Sequence, residues 1–449
     1  MGGLWHAVRT PANEFLSSAP TVPGPFLTDV DSRAAVKGSR DPLGCQPAWT
    51  RFGRHVVGNL TTVSVSVHDF TITLVGFAIL AGLRDRLGPE RDLAGFLKWE
   101  QLCGYARASI NEDWSFRGTE TVRARLSGGG TIRLSERGED QILSSQKTYG
   151  LWGLYIGPSR ASGLLEGDPL RLTQAAERFI ESEAMPLLGT AELARIRGLL
   201  SEDRPTLDLR KADRGILERV AMLLDRRFLR RAAEFYERHL VLGADPDRTS
   251  GRQRQLATAL RDLPDGESVD WFDATREIIR RCRRESWDDL GARLERIRSV
   301  ESVLAPTSRL FAHVLSRDGS TVGEIADEIG TAWKRSHGRV DVEGLADVAA
   351  ELEEALPGSG RRWCDIGKAI AAGDYGEAIG LAIAQNAAVM AGRGGAAWVD
   401  AGADGIRVRY DDRPEPLPDS ERIRRLWVFP YFIPSVWIVS RALAGGRRG

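Results

Sequence analysis

Apolar residues recur every three or four positions along most of the chain, which is the spacing of helices that bury one face. One such stretch runs from Asp92 to about Ile110, and a longer one runs from Ile216 to His239. Residues 191–356 continue the same pattern as one helix after another. The pattern therefore predicts a fold that is mainly α with small β elements.

A few short segments instead favour strands. Residues 61–67 place valine at every second position, and residues 131–134 follow a triple-glycine break. Residues 397–399 and 406–410 alternate on either side of a glycine-containing turn, which predicts a β-hairpin. The apolar run at residues 70–83 is shorter than the roughly 20 residues that a membrane span needs. It therefore predicts a buried helix or a pair of strands.

The composition divides the chain into a leader and three regions. Five prolines and little apolar periodicity predict that residues 1–45 are a loosely ordered leader. The three regions that follow are an N-terminal α/β region at residues 46–186, a helical region at residues 187–356, and a C-terminal region at residues 357–449. This last region combines a helical hairpin, the β-hairpin and an apolar terminal element.

Residues 135–186 carry the most distinctive pattern. Residues 162–168 (SGLLEGD) lead into residues 170–173 (LRLT) and then into an apolar helical stretch. This order resembles a winged helix-turn-helix unit, in which a helix ends at a Gly-Leu-Leu phrase, a short wing strand follows, and a Leu-Thr pair begins the next helix. Thr173 suits the N-cap position of that helix, because its hydroxyl can accept a hydrogen bond from a free backbone N–H.

The same segment departs from the winged-helix pattern in two ways. Its wing, residues 167–169, is very short, and its candidate recognition segment, residues 149–155, is aromatic and apolar. Major-groove readers present Arg, Asn, Gln or Lys to base edges, and nearby only Lys147, Ser159 and Arg160 suit that role. Three interpretations stay open: a core helical unit that binds no nucleic acid, a winged helix used for protein contact, and one that contacts DNA.

A second resemblance lies within residues 361–390. Residues 373–379 (GDYGEAI) are similar to the turn of a tetratricopeptide-type helix pair, where glycine opens the turn and Tyr and Ala pack the second helix. Repeat proteins stack several such units, and this chain has one. The resemblance therefore implies a single helical hairpin rather than a solenoid.

Charge is balanced overall, with 62 acidic and 62 basic residues, so any binding of nucleic acid must come from a local patch. Two helical stretches carry arginines at spacings of three and four, which places them on one face of each helix. Glutamates are interleaved with them, so the faces are either ion-paired, solvated surfaces or a surface that binds phosphate. The candidate anion-binding residues are Lys147, Arg160, Arg227, Arg230, Arg280 and Arg284.

The sequence nominates no catalytic residue, metal ligand, cofactor or small-molecule ligand. The four cysteines and six histidines are scattered rather than clustered at metal-binding spacings. Residues 360–368 fail as a phosphate-binding loop, because their glycine spacing is too long and Ala369 stands where Ser or Thr is needed.

The ends of the chain bear on its location. Residues 426–443 are apolar, but Pro430 and Pro434 interrupt them, which predicts a terminal element docked on the core and no membrane span. The leader lacks the basic and apolar regions of a signal peptide, so we expect a cytoplasmic protein without disulfides.

Together these features favour a non-catalytic helical subunit of a bacterial multi-protein assembly that binds other proteins. The chain as a whole resembles accessory proteins of prokaryotic antiphage defence systems, which implies an association with DNA, and its neutral charge predicts weak, non-specific DNA binding at most. One alternative is an enzyme with a site around Lys147, Tyr149, Ser159 and Arg160. Another is a peripheral membrane protein that uses its apolar C-terminal tail.

Overall fold

The computed structural model describes residues 41–244, 246–263, 269–334, 338–402, 404–410 and 416–448. Within these ranges the chain is mainly α-helical with three two-stranded antiparallel sheets, so the predicted fold class is confirmed. The helices are α1 Cys45–Arg54, α2 Val67–Ala81, α3 Arg84–Leu87, α4 Asp92–Ser109, α5 Thr119–Gly128, α6 Gln146–Tyr149, α7 Leu151–Ala161, α8 Gln174–Phe179, α9 Met185–Leu188, α10 Thr190–Ser201, α11 Arg214–Met222, α12 Arg226–Tyr236, α13 Arg252–Leu260, α14 Trp271–Arg284, α15 Asp288–Leu315, α16 Val322–Trp333, α17 Val342–Ala355, α18 Gly360–Ala372, α19 Tyr375–Gly392, α20 Ser420–Arg425 and α21 Ile433–Arg448.

The six short strands form the three sheets in a simple order. They are β1 Thr131–Arg133, β2 Leu165–Glu166, β3 Arg171–Leu172, β4 Thr206–Asp208, β5 Val399–Gly402 and β6 Gly405–Val408. β1 pairs with β4, β2 with β3, and β5 with β6. The predicted strand at residues 131–134 and the predicted C-terminal hairpin are therefore both present. In the hairpin Val399 lies opposite Val408.

Helix α4 is the centre of the N-terminal half. Nearly all of its residues are buried, because α2, α7, α10 and α11 surround it. The indole of Trp99 donates to the carbonyl oxygen of Ile72 at 2.8 Å. Gly76 lets the two helices approach, since a Cβ there would lie 2.6 Å from Trp99 Cδ1. The helix predicted at residues 92–110 is confirmed, although its apolar stripe is only part of a surface that is buried on every side.

The strand predicted at residues 61–67 is wrong, because this segment is a turn that leads into α2. The Thr61 N–H donates to the Ser64 hydroxyl at 2.8 Å, and the Ser64 N–H donates to the Thr61 hydroxyl at 3.1 Å. Ser66 then caps α2 by accepting from the Asp69 N–H at 3.2 Å. These local side-chain bonds to the backbone compete with strand pairing, which the alternation of valines does not reveal.

The packed body includes the end of the predicted leader. Residues 1–40 of the leader lie outside the described residues, and of its last five residues Leu43, Gly44 and Cys45 are buried. The side chain of Gln385 donates to the Leu43 carbonyl oxygen at 2.9 Å. Asn386 likewise donates to the Pro42 carbonyl oxygen at 3.0 Å. Two amides of α19 therefore hold the last residues of the predicted leader against the body before α1 begins.

The C-terminal half is built on α15, which contacts α1, α14, α17, α18 and α19. Helices α18 and α19 form the predicted hairpin, in which Gly373 adopts the left-handed conformation and Asp374 caps α19. The last helix, α21, packs on α12, so the terminal element is docked on the core as predicted. Among the described helices, none is both long enough and apolar enough to cross a membrane.

A buried polar network supports the π-helical turn Glu237–Val241 that continues α12. The Asn59 amide donates to the carbonyl oxygens of His239 and Leu240 at 2.9 and 3.1 Å. Gln253 donates to the carbonyl oxygens of Leu240 and Val241 at 3.0 and 3.2 Å, and also to the Asn59 carbonyl at 2.9 Å. Asn59 and Gln253, which lie 194 positions apart in the sequence, therefore together satisfy the backbone groups of this irregular turn.

Replacing Gln253 by Leu should lower the free energy of unfolding by about 1–3 kcal/mol, because it leaves buried carbonyl groups without a donor. Gln255→Leu is the matched control on the same helix, and its half-buried side chain makes no hydrogen bond among the described residues. Urea denaturation of both variants measures the difference. Equal losses in the two variants would contradict the assigned role of Gln253.

Candidate functional site

The segment that resembles a winged helix contains α7, the β2–β3 pair and α8 in the predicted order. Leu165 lies opposite Leu172 across the pair. Thr173 caps α8, since its hydroxyl accepts from the Ala176 N–H, and it donates to the Gly163 carbonyl oxygen at 2.8 Å. Leu164, Leu165 and Ile180 are buried in the hydrophobic core, and Leu172 and Phe179 pack against it half-buried.

The aromatic recognition segment serves mainly the core. Trp152 lies against the rings of Phe77 and Phe96, with centroids 5.7 and 5.4 Å apart. Tyr155 is buried, and its hydroxyl accepts from the Ser66 N–H at 3.3 Å. These aromatic side chains are therefore occupied inside the protein rather than presented to a nucleic acid.

The exposed part of this unit is small. Tyr149 is 56% exposed, and Lys147 lies on the same short helix, α6. Arg160 is exposed on the last turn of α7. Neither Lys147 nor Arg160 forms an ion pair with any described residue, so both charges are available to an anion. Ser159, in contrast, is buried, which separates it from the polar set that the sequence grouped around Lys147.

The arginine face of α12 is partly unpaired. Arg226 and Arg227 are exposed and make no ion pair within the described ranges. Arg231, in contrast to these two residues, lies 3.8 Å from Glu183. Arg230 is exposed on the same helix. The helix begins with Asp225 as its cap, and it packs chiefly on α21. The predicted candidate Arg227 therefore lies on a surface with uncompensated positive charge.

The arginine face of α14 is neutralised by acidic neighbours. Arg280 and Arg284 both approach Glu277, at 3.1 and 3.6 Å, and Arg283 lies 3.2 Å from Glu295. Such exposed pairs contribute little stability. The glutamates nevertheless neutralise the positive charge to which a phosphate would bind. α14 packs on α13 and α15, while α12 packs chiefly on α21, so the two arginine faces belong to different parts of the body.

A cleft of about 730 Å³ contains a histidine and a carboxylate that the sequence analysis missed. His313 Nε2 lies 2.7 Å from Glu328 Oε2, and Arg317 donates to the same oxygen at 2.8 Å. Burial lowers the pKa of His313, while the hydrogen bond from Arg317 lowers the pKa of Glu328. Ser316 donates to the backbone oxygen of His313 rather than to its ring. The two residues lie on α15 and α16 at no recognisable spacing, so no motif could have predicted the pair.

A second group that the sequence analysis missed is the buried carboxylate of Glu301 in the middle of α15. Its oxygens accept from the backbone N–H groups of Val428 and Phe429 and from the Tyr431 hydroxyl, the last at 2.9 Å. Arg339 donates to the Glu301 backbone oxygen at 3.3 Å. Burial raises the pKa of Glu301 to about 7. In the sequence, Glu301 lies in an apolar stretch between Val300 and Val303, and this position was the available sign that the carboxylate is buried.

A second buried carboxylate, that of Glu100, supports the N-terminal half. Glu100 accepts from the Gln146 amide at 2.8 Å and from the Leu151 N–H at 2.8 Å. Burial raises the pKa of Glu100 to about 7. Both carboxylates thus bind backbone or amide donors of the same chain, and both hold an irregular segment against a buried helix. No group of three or more potential metal ligands occurs in the part of the chain that the structure describes.

Helix α19 presents an unusual surface to solvent. Of its 18 residues only Glu377 is charged, and most of the helix is buried against α15, α16 and α18. We define its outer face by Gly380, Ala384, Ala388 and Ala391, all of which are exposed. A Cβ added at Gly380 would meet nothing within 4 Å. This face is therefore open, uncharged and built of small residues.

No family profile, curated protein or solved structure matches the chain.

Removal of the Glu301 charge should change how stability depends on pH. The pKa of about 7 in the folded chain exceeds the ordinary value of 4.5, so the folded state binds more protons between these pH values. The free energy of unfolding therefore falls as the pH rises through this window. In Glu301→Gln the fall between pH 5 and pH 8 should be smaller by about 2–3 kcal/mol.

Denaturation by urea across this pH range is the measurement, and Glu343→Gln, an exposed carboxylate on α17, is the control. Glu100 titrates equally in all three proteins, so its contribution cancels in the comparison. If wild type and Glu301→Gln keep the same pH dependence, Glu301 does not titrate in this window.

The two arginine faces should differ in their contribution to binding duplex DNA. Each phosphate contact adds about −0.9 to the slope of log affinity against log salt concentration. Arg226→Gln/Arg227→Gln should flatten that slope by up to about two units, because these side chains lack acidic partners. Arg280→Gln/Arg284→Gln should change it by less than about one unit, because Glu277 already compensates both charges. Fluorescence anisotropy at several salt concentrations tests this, and equal effects of the two variants would contradict it.

Proposed function

We propose that the chain is a non-catalytic, protein-binding helical subunit of a bacterial multi-protein assembly. The observation that carries this proposal is the outer face of α19. A helix at the surface of a soluble protein normally carries charged or polar residues on its solvent side. α19 instead carries small apolar residues there, at Gly380, Ala384, Ala388 and Ala391.

Small side chains suit this face for contact with another helix. The distance between packed helix axes depends on the side chains at the contact, and it is shortest where these are glycine and alanine. The face extends over the twelve residues from Gly380 to Ala391, and its eleven steps of 1.5 Å make it about 16 Å long. A partner helix could therefore lie along α19 without displacing charged side chains or their water.

The perturbed carboxylates of the chain support a structural interpretation. Glu100 and Glu301 are both buried and are engaged by donors of the same chain. Groups with perturbed pKa values mark active sites in many enzymes, but structural networks perturb them too. Here each carboxylate holds a specific segment in place, which is the role expected in a rigid scaffold.

The proposed assembly is associated with DNA and serves in antiphage defence. This part of the proposal rests on the resemblances of residues 135–186 and of the chain as a whole. The exposed charges of Lys147, Arg160 and Arg227 support it, because they are available to phosphate oxygens. The pairing of Arg280 and Arg284 with Glu277 makes the α14 face a weak phosphate-binding surface, and we expect the partners to supply most of the affinity for DNA.

The outer face of α19 can be tested with Ala384→Arg and Ala388→Arg. Arginine has nearly the helix propensity of alanine, so the melting temperature should stay within a few degrees of wild type. The long charged side chain should block a partner helix. Ala350→Arg on α17, also an exposed helical position, is the matched control. In extracts of cells that express the protein natively, wild type and Ala350→Arg should elute well above the monomer mass of 49.4 kDa. The two α19 variants should elute near it.

Elution of wild type as a monomer, or of the α19 variants together with wild type, would contradict the proposal. The purified chain is measured in parallel. A purified wild-type dimer that Ala388→Arg dissociates would assign the face to a second copy of this chain, and would overturn the proposed multi-protein assembly.

A further inference from the structure

A groove of about 810 Å³ lies between the start of α14 and the segment that joins α20 to α21. We call residues 426–431 of this segment the strap. The apolar lining of the groove consists of Trp271, Trp427, Phe429, Pro430 and Pro434, together with Leu426 and Val428. All five strap residues from 426 to 430 are half-buried, so one side of the strap packs on the body while the other faces the groove.

The groove is held in shape before any ligand arrives. Glu301 fixes the strap by accepting from the N–H groups of Val428 and Phe429. The ring of Trp427 packs edge-on against Tyr431 with centroids 5.7 Å apart. On the opposite side, Trp271 packs edge-on against Trp437 at 6.1 Å and 88°. Such preorganisation lowers the conformational entropy lost on binding.

The two tryptophans of the lining also retain hydrogen-bonding capacity. The indole N–H groups of Trp271 and Trp427 donate to no described residue. Buried Tyr and Trp side chains usually find a partner for their polar atom, whereas exposed ones at binding sites use it on the ligand. The groove thus combines flat aromatic surfaces and proline rings with two donors suited to peptide carbonyl oxygens.

The rim of the groove carries charged side chains, and among them Glu421 has no basic partner in the described part of the chain. Arg425 pairs with Asp270 at 2.7 Å, and Arg422 lies 3.7 Å from Asp419. Glu421 forms no ion pair among the described residues. The lining therefore carries three carboxylates against two guanidinium groups, and the remaining charge favours a cationic ligand.

We infer that this groove binds a proline-rich segment of a partner protein, in the polyproline II conformation and with a basic residue next to the prolines. Proline-rich segments dock in aromatic-lined grooves because their helix is preformed and its carbonyl groups are free. Glu421 receives the basic side chain. This surface uses none of the residues of the α19 outer face, so the inference goes beyond the proposed function and can stand without it.

The test uses the full chain and a fluorescein-labelled peptide, Arg-Pro-Leu-Pro-Pro-Leu-Pro. Fluorescence anisotropy should show saturable binding. Replacing the peptide prolines by alanine, or its arginine by glutamate, should weaken binding at least about tenfold, or 1.4 kcal/mol. In the protein, Glu421→Arg should weaken binding of the arginine peptide and restore binding of the glutamate peptide. Trp427→Phe keeps an aromatic ring but removes the indole N–H, and should weaken the binding of every proline-containing peptide.

Three results would overturn the inference. The first is no saturable binding of the arginine peptide up to about 1 mM. The second is binding that the alanine peptide or Glu421→Arg leaves unchanged. The third is tighter binding of the arginine peptide to the Pro20→Ala/Pro23→Ala variant. This result would assign the groove to the chain's own Pro-Thr-Val-Pro sequence instead of a partner. Ala388→Arg should leave peptide binding unchanged, which separates this test from that of the α19 face.

Discussion

The C-terminal half depends on the hydrogen bonds that the buried carboxylate of Glu301 accepts. Burying a charge without partners would cost several kcal/mol, so its three hydrogen-bond donors are required for the fold. Those donors all belong to residues 428–431, immediately before α21. The carboxylate thus determines where the strap lies, and the strap determines where α21 begins. Since α21 packs on α12, the effect of one side chain extends from α15 across the body.

The last residue of the strap and the residue that follows it have strained backbone conformations. Tyr431 and Phe432 both have positive φ, at 45° and 61°, a conformation that costs free energy for residues other than glycine. Both are buried, and Phe432 packs against Trp49 of α1 with ring centroids 5.1 Å apart. The aromatic contact and the bond from Tyr431 to Glu301 together hold this conformation. The first helix and the last helix therefore meet at the same two residues.

Much of the helical fold could be predicted from the chain alone, because apolar spacing reports directly on which face of a helix is buried. α4 follows from that spacing, whereas the α18–α19 hairpin was predicted from the tetratricopeptide-like turn at residues 373–379. The failure at residues 61–67 has a different origin. Hydroxyl side chains at Thr61, Ser64 and Ser66 bond the local backbone, and a pattern that counts only apolar positions misses them. The docking of residues 42 and 43 could not be predicted either, since Gln385 and Asn386, the residues that hold them, lie more than 300 positions away.

The candidate site shows the same limit more sharply. Spacing predicted that the arginines of α12 and α14 lie on helix faces, but it could not show which charges are compensated. Glu277 serves both Arg280 and Arg284, whereas Arg226 and Arg227 have no such neighbour within the described residues. The distinction depends on side-chain positions and not on the count of charges, which is balanced for the whole chain.

The surfaces proposed for binding have in common that the body behind them is rigid. The outer face of α19 is backed by α15, α16 and α18, and the groove is backed by the strap that Glu301 holds. A surface that is already ordered loses little conformational entropy when a partner binds, so modest contacts suffice for measurable affinity. This explains why buried carboxylates, usually a sign of catalysis, fit a scaffold here. Their bonds to the backbone keep the binding surfaces in one conformation, and the proposed function needs nothing further from them.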